Sequence, residues 1–278
     1  MLVTDLKLQA EKSRRRLMEV IYNARAGHTG GDLSILNVMT ALYFRVLNIN
    51  KDNVENPDRD RFILSKGHCV ETLYVLLEAK GILEKEVLDT LGKFCSPLAG
   101  HPTREVTGIE MCSGALGHGL SIGVGMSLAA KMDGRSYKTC VVMGDGEQDE
   151  GSIYEAAMAA AHYKLGNLVA VIDRNRLQLS GNTENVMALD SLSEKWQSFG
   201  WDVIEMNGDD MEDIVAKFEA IDFCGCRPHM VIANTTKGKG VSFMENVAKW
   251  HHGVPSEEQY ALALEEIDER IKLLENER

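Results

Sequence analysis

The stretch CVVMGDGEQDEGSIYEAAMAAAHYKLGNLVAVIDRNRLQLSG, residues 140–181, decides how this chain folds. It opens on a short apolar run, residues 140–143, with the length and bounds of a buried strand. Gly144-Asp145-Gly146 breaks that strand sharply, and an alanine-rich helix follows over residues 151–163. A second apolar run, residues 168–172, reads as another strand and ends in Asp173-Arg174-Asn175. Strand, helix, strand in this order makes a right-handed crossover between parallel strands. Asp145 and Asn175 then stand at the carboxyl ends of two parallel strands, where open α/β sheets bind ligands. The expected fold class is α/β, with a doubly wound parallel sheet.

Asp145 offers a carboxylate, Asn175 an amide oxygen and Leu177 a main-chain carbonyl. Three hard oxygens facing one space suit Mg²⁺, with phosphate and water filling the other positions. The glycines beside Asp145 let backbone N–H groups approach a phosphate, whose charge the start of the next helix favours. A tight strand-to-helix turn with a polar tip shows the same three letters, because Gly-Asp-Gly is short and common. No G-x-G-x-x-G follows a strand with an acid downstream, and no G-x-x-x-x-G-K-[ST] occurs; Lys237-Gly238-Lys239-Gly240 lacks that spacing. Gly144-Asp145-Gly146, followed after about thirty residues by Asn175, is similar to the thiamine diphosphate motif. Arg174-Asn175 stands where that motif usually has Asn-Asn.

Composition sets the outer bounds. A chain of 278 residues has room for one large α/β domain or two small ones. Its 44% hydrophobic content can fill a sizeable core. Thirty basic against 42 acidic residues leave a net charge of −12, which disfavours a nucleic-acid or anionic-membrane surface. The opening MLVTDLKLQAEKSRRR has no apolar signal core, and no long uncharged apolar run spans a bilayer. The cysteines show no C-x-x-C pair and no zinc-finger spacing. Cys224-Gly225-Cys226 reads as two surface thiols, and Cys140 as a small core hydrophobe. A reduced, cytoplasmic setting is expected.

Residues 5–26 read as an amphipathic helix whose Arg14-Arg15-Arg16 triplet is a solvated face. Residues 33–47 form another helix, almost wholly apolar and therefore buried. A short strand, 61–64, leads into Ser65-Lys66-Gly67-His68, and residues 71–79 and 83–94 are expected to be helical. The helix over 120–131 carries Gly123 and Gly125 just after Gly117 and Gly119. It can therefore pack very close to another backbone, inside the domain or across a subunit boundary. Strands over 201–206 and 229–234 flank a helix over 211–221, a glycine-containing loop runs over 235–253, and an acidic helix covers 256–275. No repeat or Pro-rich linker divides the chain, so a single domain over 1–278 is expected.

Five of the eight histidines, His28, His68, His101, His118 and His252, sit in or beside glycine turns. One such loop histidine reads as a surface or capping residue; five at element ends favour a shared pocket. His162, within the central helix, reads as packing or surface.

Together these turns resemble the transketolase family over nearly the whole chain. Ala26-Gly27-His28-Thr29-Gly30-Gly31 looks like the family's Ser-Gly-His-Pro-Gly turn, with Thr29 replacing the proline. Ser65-Lys66-Gly67-His68 and Gly100-His101-Pro102 match closely. Ser113-Gly114-Ala115-Leu116-Gly117-His118-Gly119 is similar to Thr-Gly-Pro-Leu-Gly-Gln-Gly. Lys237-Gly238-Lys239-Gly240-Val241 and Trp250-His251-His252-Gly253 resemble the family's late loop and its His-Gly, the following glycine favouring His252 over His251.

That resemblance implies roles. Asp145, Asn175 and the Leu177 carbonyl would hold Mg²⁺. His68, Gly146, Asn175 and His252 would contact the diphosphate of thiamine diphosphate, and Gly114, Ala115 and Leu116 would support its aminopyrimidine ring. His28, His68, His101 and His252 would surround substrate hydroxyls, since imidazoles give and take protons near working pH. Glu150 matches a glutamate of the family's cofactor and catalytic region, and is equally natural as a helix-start acid. His118 replaces a glutamine and takes no role.

Transketolases contain a diphosphate-binding, a pyrimidine-binding and a C-terminal domain, and the resemblance covers only the first. The implied partner is a C-terminal subunit supplying the pyrimidine-binding domain and its glutamate, in a two-plus-two assembly. The implied activity is transfer of a two-carbon ketol unit between sugar phosphates. Two rivals stay open: the alpha subunit of a two-oxo-acid dehydrogenase, which also carries Gly-Asp-Gly, and a cofactor-binding subunit without turnover. The SKGH, GHP and SGALGHG turns favour transketolase.

Overall fold

The apolar runs become strands that are buried on both faces, apart from the half-exposed edge strand over 202–207. In order, the chain builds α1 (Val3–Ala24), α2 (Thr29–Ala41), β1 (Arg61–Leu64), α3 (Val70–Ala79), α4 (Lys85–Leu88), α5 (Gly119–Met132) and β2 (Thr139–Gly144). There follow α6 (Gly151–His162), β3 (Leu168–Arg174), a hairpin of β4 (Leu177–Gln178) and β5 (Gly181–Asn182), α7 (Thr183–Val186) and α8 (Leu192–Ser198). The last elements are β6 (Asp202–Asn207), α9 (Met211–Glu219), β7 (His229–Asn234) and α10 (Glu257–Asn276). The structure is a computed structural model that describes residues 1–189 and 191–277.

Five strands pair in parallel in the order β1-β2-β3-β7-β6. Successive side chains on a strand point to opposite faces, so each strand feeds two cores. Cys140, Val142, Val169 and Val171 pack with Leu17, Leu33, Leu73, Ile214 and Ile267 from α1, α2, α3, α9 and α10. Val141, Met143, Ala170 and Ile172 pack on the other side with Leu120, Ala157 and Trp196 from α5, α6 and α8. Because β6 lies outside β7, the crossover through α9 turns back toward the centre, and helices cover both faces. This is the doubly wound α/β fold expected from the central strand–helix–strand unit.

The register levels the strand ends. Gly144 pairs with Asp173, and Arg174 with Asn234. Asp145, Asn175 and the residues after Leu64 and Asn234 therefore emerge along one rim.

Two expectations change. Residues 83–94 do not form one helix: after the single turn of α4 the chain breaks at Gly92 (φ 77°) and Cys95 (φ 62°). Gly92 lies so close to α1 that a Cβ there would sit 2.7 Å from the Ala24 carbonyl oxygen. The Arg14-Arg15-Arg16 triplet is not a solvated face. Arg14 is buried against Glu11, Asn37 and the Lys239 carbonyl, Arg15 reaches Asp268 at 2.8 Å, and Arg16 reaches Glu78 at 2.8 Å and Asp89 at 2.6 Å. The glycines of α5 work mainly inside the domain: a Cβ at Gly119 would meet Ser65 at 2.4 Å and one at Gly123 would meet Val141 at 2.5 Å, while Gly125 faces open space. Finally, α8 and the β4–β5 hairpin carry too little periodicity to be read as elements.

Candidate active site

Four strand ends and the start of α2 enclose a cleft of about 390 Å³. Its walls include His28, Lys66, His68, Gly114, Leu116, Asp145, Gly146, Asn175, Leu177 and Lys237, with Gln178, Leu179 and Ser180 of the hairpin region along one side. His101, Ala115, Glu150 and His252 lie outside that wall. His101 and His252 are exposed at the mouth, their rings 6.4 Å and 4.8 Å from that of His28. Glu150 is exposed at the start of α6, backed by Gly117.

The histidine turns meet through backbone contacts that need small residues. A Cβ on Gly30 would lie 2.8 Å from the Trp250 carbonyl, so the start of α2 packs directly on the turn that carries His251. Thr29, where the family turn has proline, donates its hydroxyl to the Gly253 carbonyl at 2.6 Å. That bond joins two glycine turns more than two hundred residues apart in the chain. Of the tandem pair, His251 faces inward, its ring stacked on His68 at 5.6 Å, and His252 faces outward beside His28.

Burial and neighbouring charges keep the rings of His28, His68 and His251 neutral. Desolvation first, then the other imidazoles and lysines, lowers His28 to about 4, His68 to about 2 and His251 to about 3. A neutral imidazole offers one N–H and one lone pair, which suits hydroxyl-rich ligands.

The oxygens expected to hold a metal sit on two adjacent loops. Asp145 Oδ1 accepts from the Gly146 amide at 2.8 Å, while Oδ2 accepts from the Arg176 amide at 2.6 Å and from Arg174 at 3.4 Å. Burial, then the charge of Asp173, pushes the Asp145 carboxyl up, the condition of a carboxylate short of positive charge. Asn175 Oδ1 accepts from the Leu177 amide at 3.1 Å, and the Leu177 carbonyl accepts from Lys237 Nζ at 2.8 Å. Carboxylate, amide and main-chain oxygens suit a hard dication. No cluster of three or more His, Cys, Asp or Glu side chains offers another metal site among the described residues.

Sequence reading missed several residues here. Lys66 and Asp173 form a buried ion pair. Glu147 is buried and accepts from Ser65, from the Gly117 amide at 2.8 Å and from the Gly144 amide at 3.0 Å, which closes the Gly-Asp-Gly turn onto the Gly117 turn. Lys237 is 2% exposed, with the Leu177 carbonyl and His251 Nδ1 (3.0 Å) as neutral partners and no carboxylate in ion-pair range among the described residues. Such a buried cation calls for an anion. All four lie inside or beside the motifs quoted above, but nothing local distinguishes them from solvated charges.

Comparisons with known proteins agree with this geometry. The profile of the family "Transketolase, thiamine diphosphate binding domain" matches residues 7–267. One of the subunits of the apulose-4-phosphate transketolase of Phocaeicola vulgatus is 64% identical over 277 residues, covering 100% of this chain and 99% of that protein. The 6-deoxy-6-sulfo-D-fructose transketolase subunit SqwG of a Clostridium species is 41% identical, covering 95% of this chain and 96% of that protein. Transketolase from Campylobacter jejuni superposes with a TM-score of 0.85 at 26% identity, covering 99% of this chain but 48% of its own. The chain thus spans about half the length of the solved transketolase and nearly all of the two subunits. It belongs to the transketolase family, as a thiamine diphosphate-binding subunit of the divided kind.

Proposed function

We propose that this chain is the cofactor-binding half of a split transketolase that transfers a two-carbon ketol unit from a ketose phosphate to an aldose phosphate. Thiamine diphosphate and Mg²⁺ are held here, and a second subunit with a pyrimidine-binding domain completes the site in a two-plus-two assembly. The observation that carries this reading is the cleft itself. Among the described residues, buried Lys237 has no carboxylate partner beside the Asp145, Asn175 and Leu177 oxygens, and histidines ring the opening. Apulose 4-phosphate is the proposed donor, supported by 64% identity to a protein named for that substrate.

Asp145, Asn175 and the Leu177 carbonyl hold the Mg²⁺. His68, Gly146, His251 and Lys237 face the diphosphate, with His252 at the mouth, and Gly114-Ala115-Leu116 supports the aminopyrimidine. When bound, the cofactor supplies the nucleophilic carbon that accepts and passes on the ketol unit. His28, His101 and His252 orient the sugar hydroxyls and exchange hydrogen bonds with them. Glu150, exposed on the rim, meets the partner rather than the cleft.

The test is Asp145→Ala in the chain purified with its partner subunit. Mg²⁺-dependent thiamine diphosphate binding is expected to vanish while the folded domain is retained by circular dichroism. Unchanged cofactor affinity would sink the assignment.

A further inference from the structure

Asp173 is fully buried, and its carboxylate gathers groups from four segments of the chain around the cleft. Its Oδ2 accepts from Ser34 Oγ at 2.6 Å, from Lys66 Nζ and from Asn175 Nδ2 at 3.0 Å. Its Oδ1 accepts from Thr235 Oγ1. The donors come from α2, the loop after β1, the end of β3 and the loop after β7.

Strand parity explains why Asp173 and Asn175 meet. They are two residues apart, so both point to the α2 side of the sheet, and Arg174 points to the other. There Arg174 donates to Thr183 Oγ1 at 2.8 Å and pairs with Glu184.

An ionised carboxylate only accepts hydrogen bonds. Facing Asn175, it admits the amide's NH₂ and excludes its oxygen. The Asn175 Oδ1 is thereby sent to the opposite side, toward Leu177 and the cleft. Ser34 braces the same amide from 3.4 Å. We propose that Asp173 is a positioning residue for the metal, orienting Asn175 so that its oxygen joins those of Asp145 and Leu177. This rests on the metal-site reading given above. Asp173 touches neither cofactor nor substrate and acts through Asn175.

The experiment measures the Mg²⁺ concentration that half-saturates thiamine diphosphate binding, followed by intrinsic tryptophan fluorescence, in the chain purified with its partner subunit. Thermal unfolding of each variant without cofactor is recorded alongside. Asp173→Asn is expected to raise the Mg²⁺ midpoint about 10–100-fold, the usual cost of removing a group that orients a metal ligand. Ser34→Ala raises it less, in the same direction. Thr235→Val removes a bond to the carboxylate oxygen that faces away from Asn175, and leaves the midpoint in place whatever it does to the melting temperature.

An unshifted Asp173→Asn, or a Thr235→Val shift as large, overturns the positioning role. If Asp173→Asn does not fold, Ser34→Ala decides: a raised midpoint supports the role and an unchanged one overturns it. Unchanged Mg²⁺ dependence in Asp145→Ala instead removes the metal site itself, and this proposal with it.

Discussion

Two buried acid groups lie close under the cleft and are treated in opposite ways. Asp173 is given a cation, Lys66, and three further donors. Asp32 and Glu71, where α2 meets α3, have no cation in ion-pair range among the described residues, only the more distant charge of Lys66 on Asp32 and a few backbone and hydroxyl donors. Asp32 Oδ1 accepts from the Thr72 amide at 2.9 Å, while Asp32 Oδ2 and Glu71 Oε2 accept no hydrogen bond from the described residues. Asp173 is consequently held below the usual carboxylate range by Lys66, against the effect of burial. Burial pushes Asp32 up to about 6 and Glu71 well above its ordinary value. A carboxylate with a matched cation stays charged and can impose direction on its neighbours; a pair without one keeps a proton and stays compact.

Removing the cation is the hardest blow to this contrast. Lys66→Met leaves Asp173 charged and buried without its counter-ion, a loss of about 3–5 kcal/mol in unfolding free energy measured with denaturant. A loss below about 1 kcal/mol would show that the neutral donors suffice.

The acid limb of the stability curve sharpens the contrast. His28, His68 and His251 are lowered when folded, to about 4, 2 and 3, so unfolding below about pH 6.5 takes up protons. Their contribution is complete above that pH and is lost as the pH falls. The Asp32–Glu71 pair runs the other way, because carboxyls raised in the folded state stabilise it below their unfolded values. Asp32→Asn combined with Glu71→Gln is therefore expected to steepen the loss of stability between pH 6.5 and 4. Parallel curves for parent and variant would show that the pair does not titrate there.

The smallest effect is at neutral pH. Glu71→Gln puts a neutral amide of the same shape where burial favours the protonated carboxyl, and is expected to change stability by less than about 1 kcal/mol. A much larger drop would mean that Glu71 is ionised in the fold.

Much of this was legible from local signals. Gly144-Asp145-Gly146 and Asp173-Arg174-Asn175 carried the site because each follows an apolar run whose length and bounds mark a strand, and strand ends are where such sheets open. The glycine–histidine turns located His28, His68 and His101 because such turns interrupt helical or strand periodicity; of the three only His68 follows a strand. Lys66, Lys237 and Glu147 escaped because a charged residue beside a motif reads as solvated unless its burial is known. The Arg14–Arg16 triplet escaped likewise, since its partners Glu78 and Asp268 belong to distant helices. In residues 83–94, helical periodicity was overridden by the close approach of Gly92 to α1.

Strand order, the crossover and the placing of Asp145 and Asn175 at one rim follow from hydrophobic period and turn chemistry, which act over a few residues. The convergence on Asp173 does not. Ser34 is 139 residues away in the chain, Lys66 107 and Thr235 62, and only the packed sheet brings them to one carboxylate. The inward turn of His251 over His252 was likewise decided by the packing of the Trp250 carbonyl on Gly30, a contact with no trace in either local sequence. Backbone geometry is written locally; the partners of a buried charge are chosen by whatever the fold carries to it.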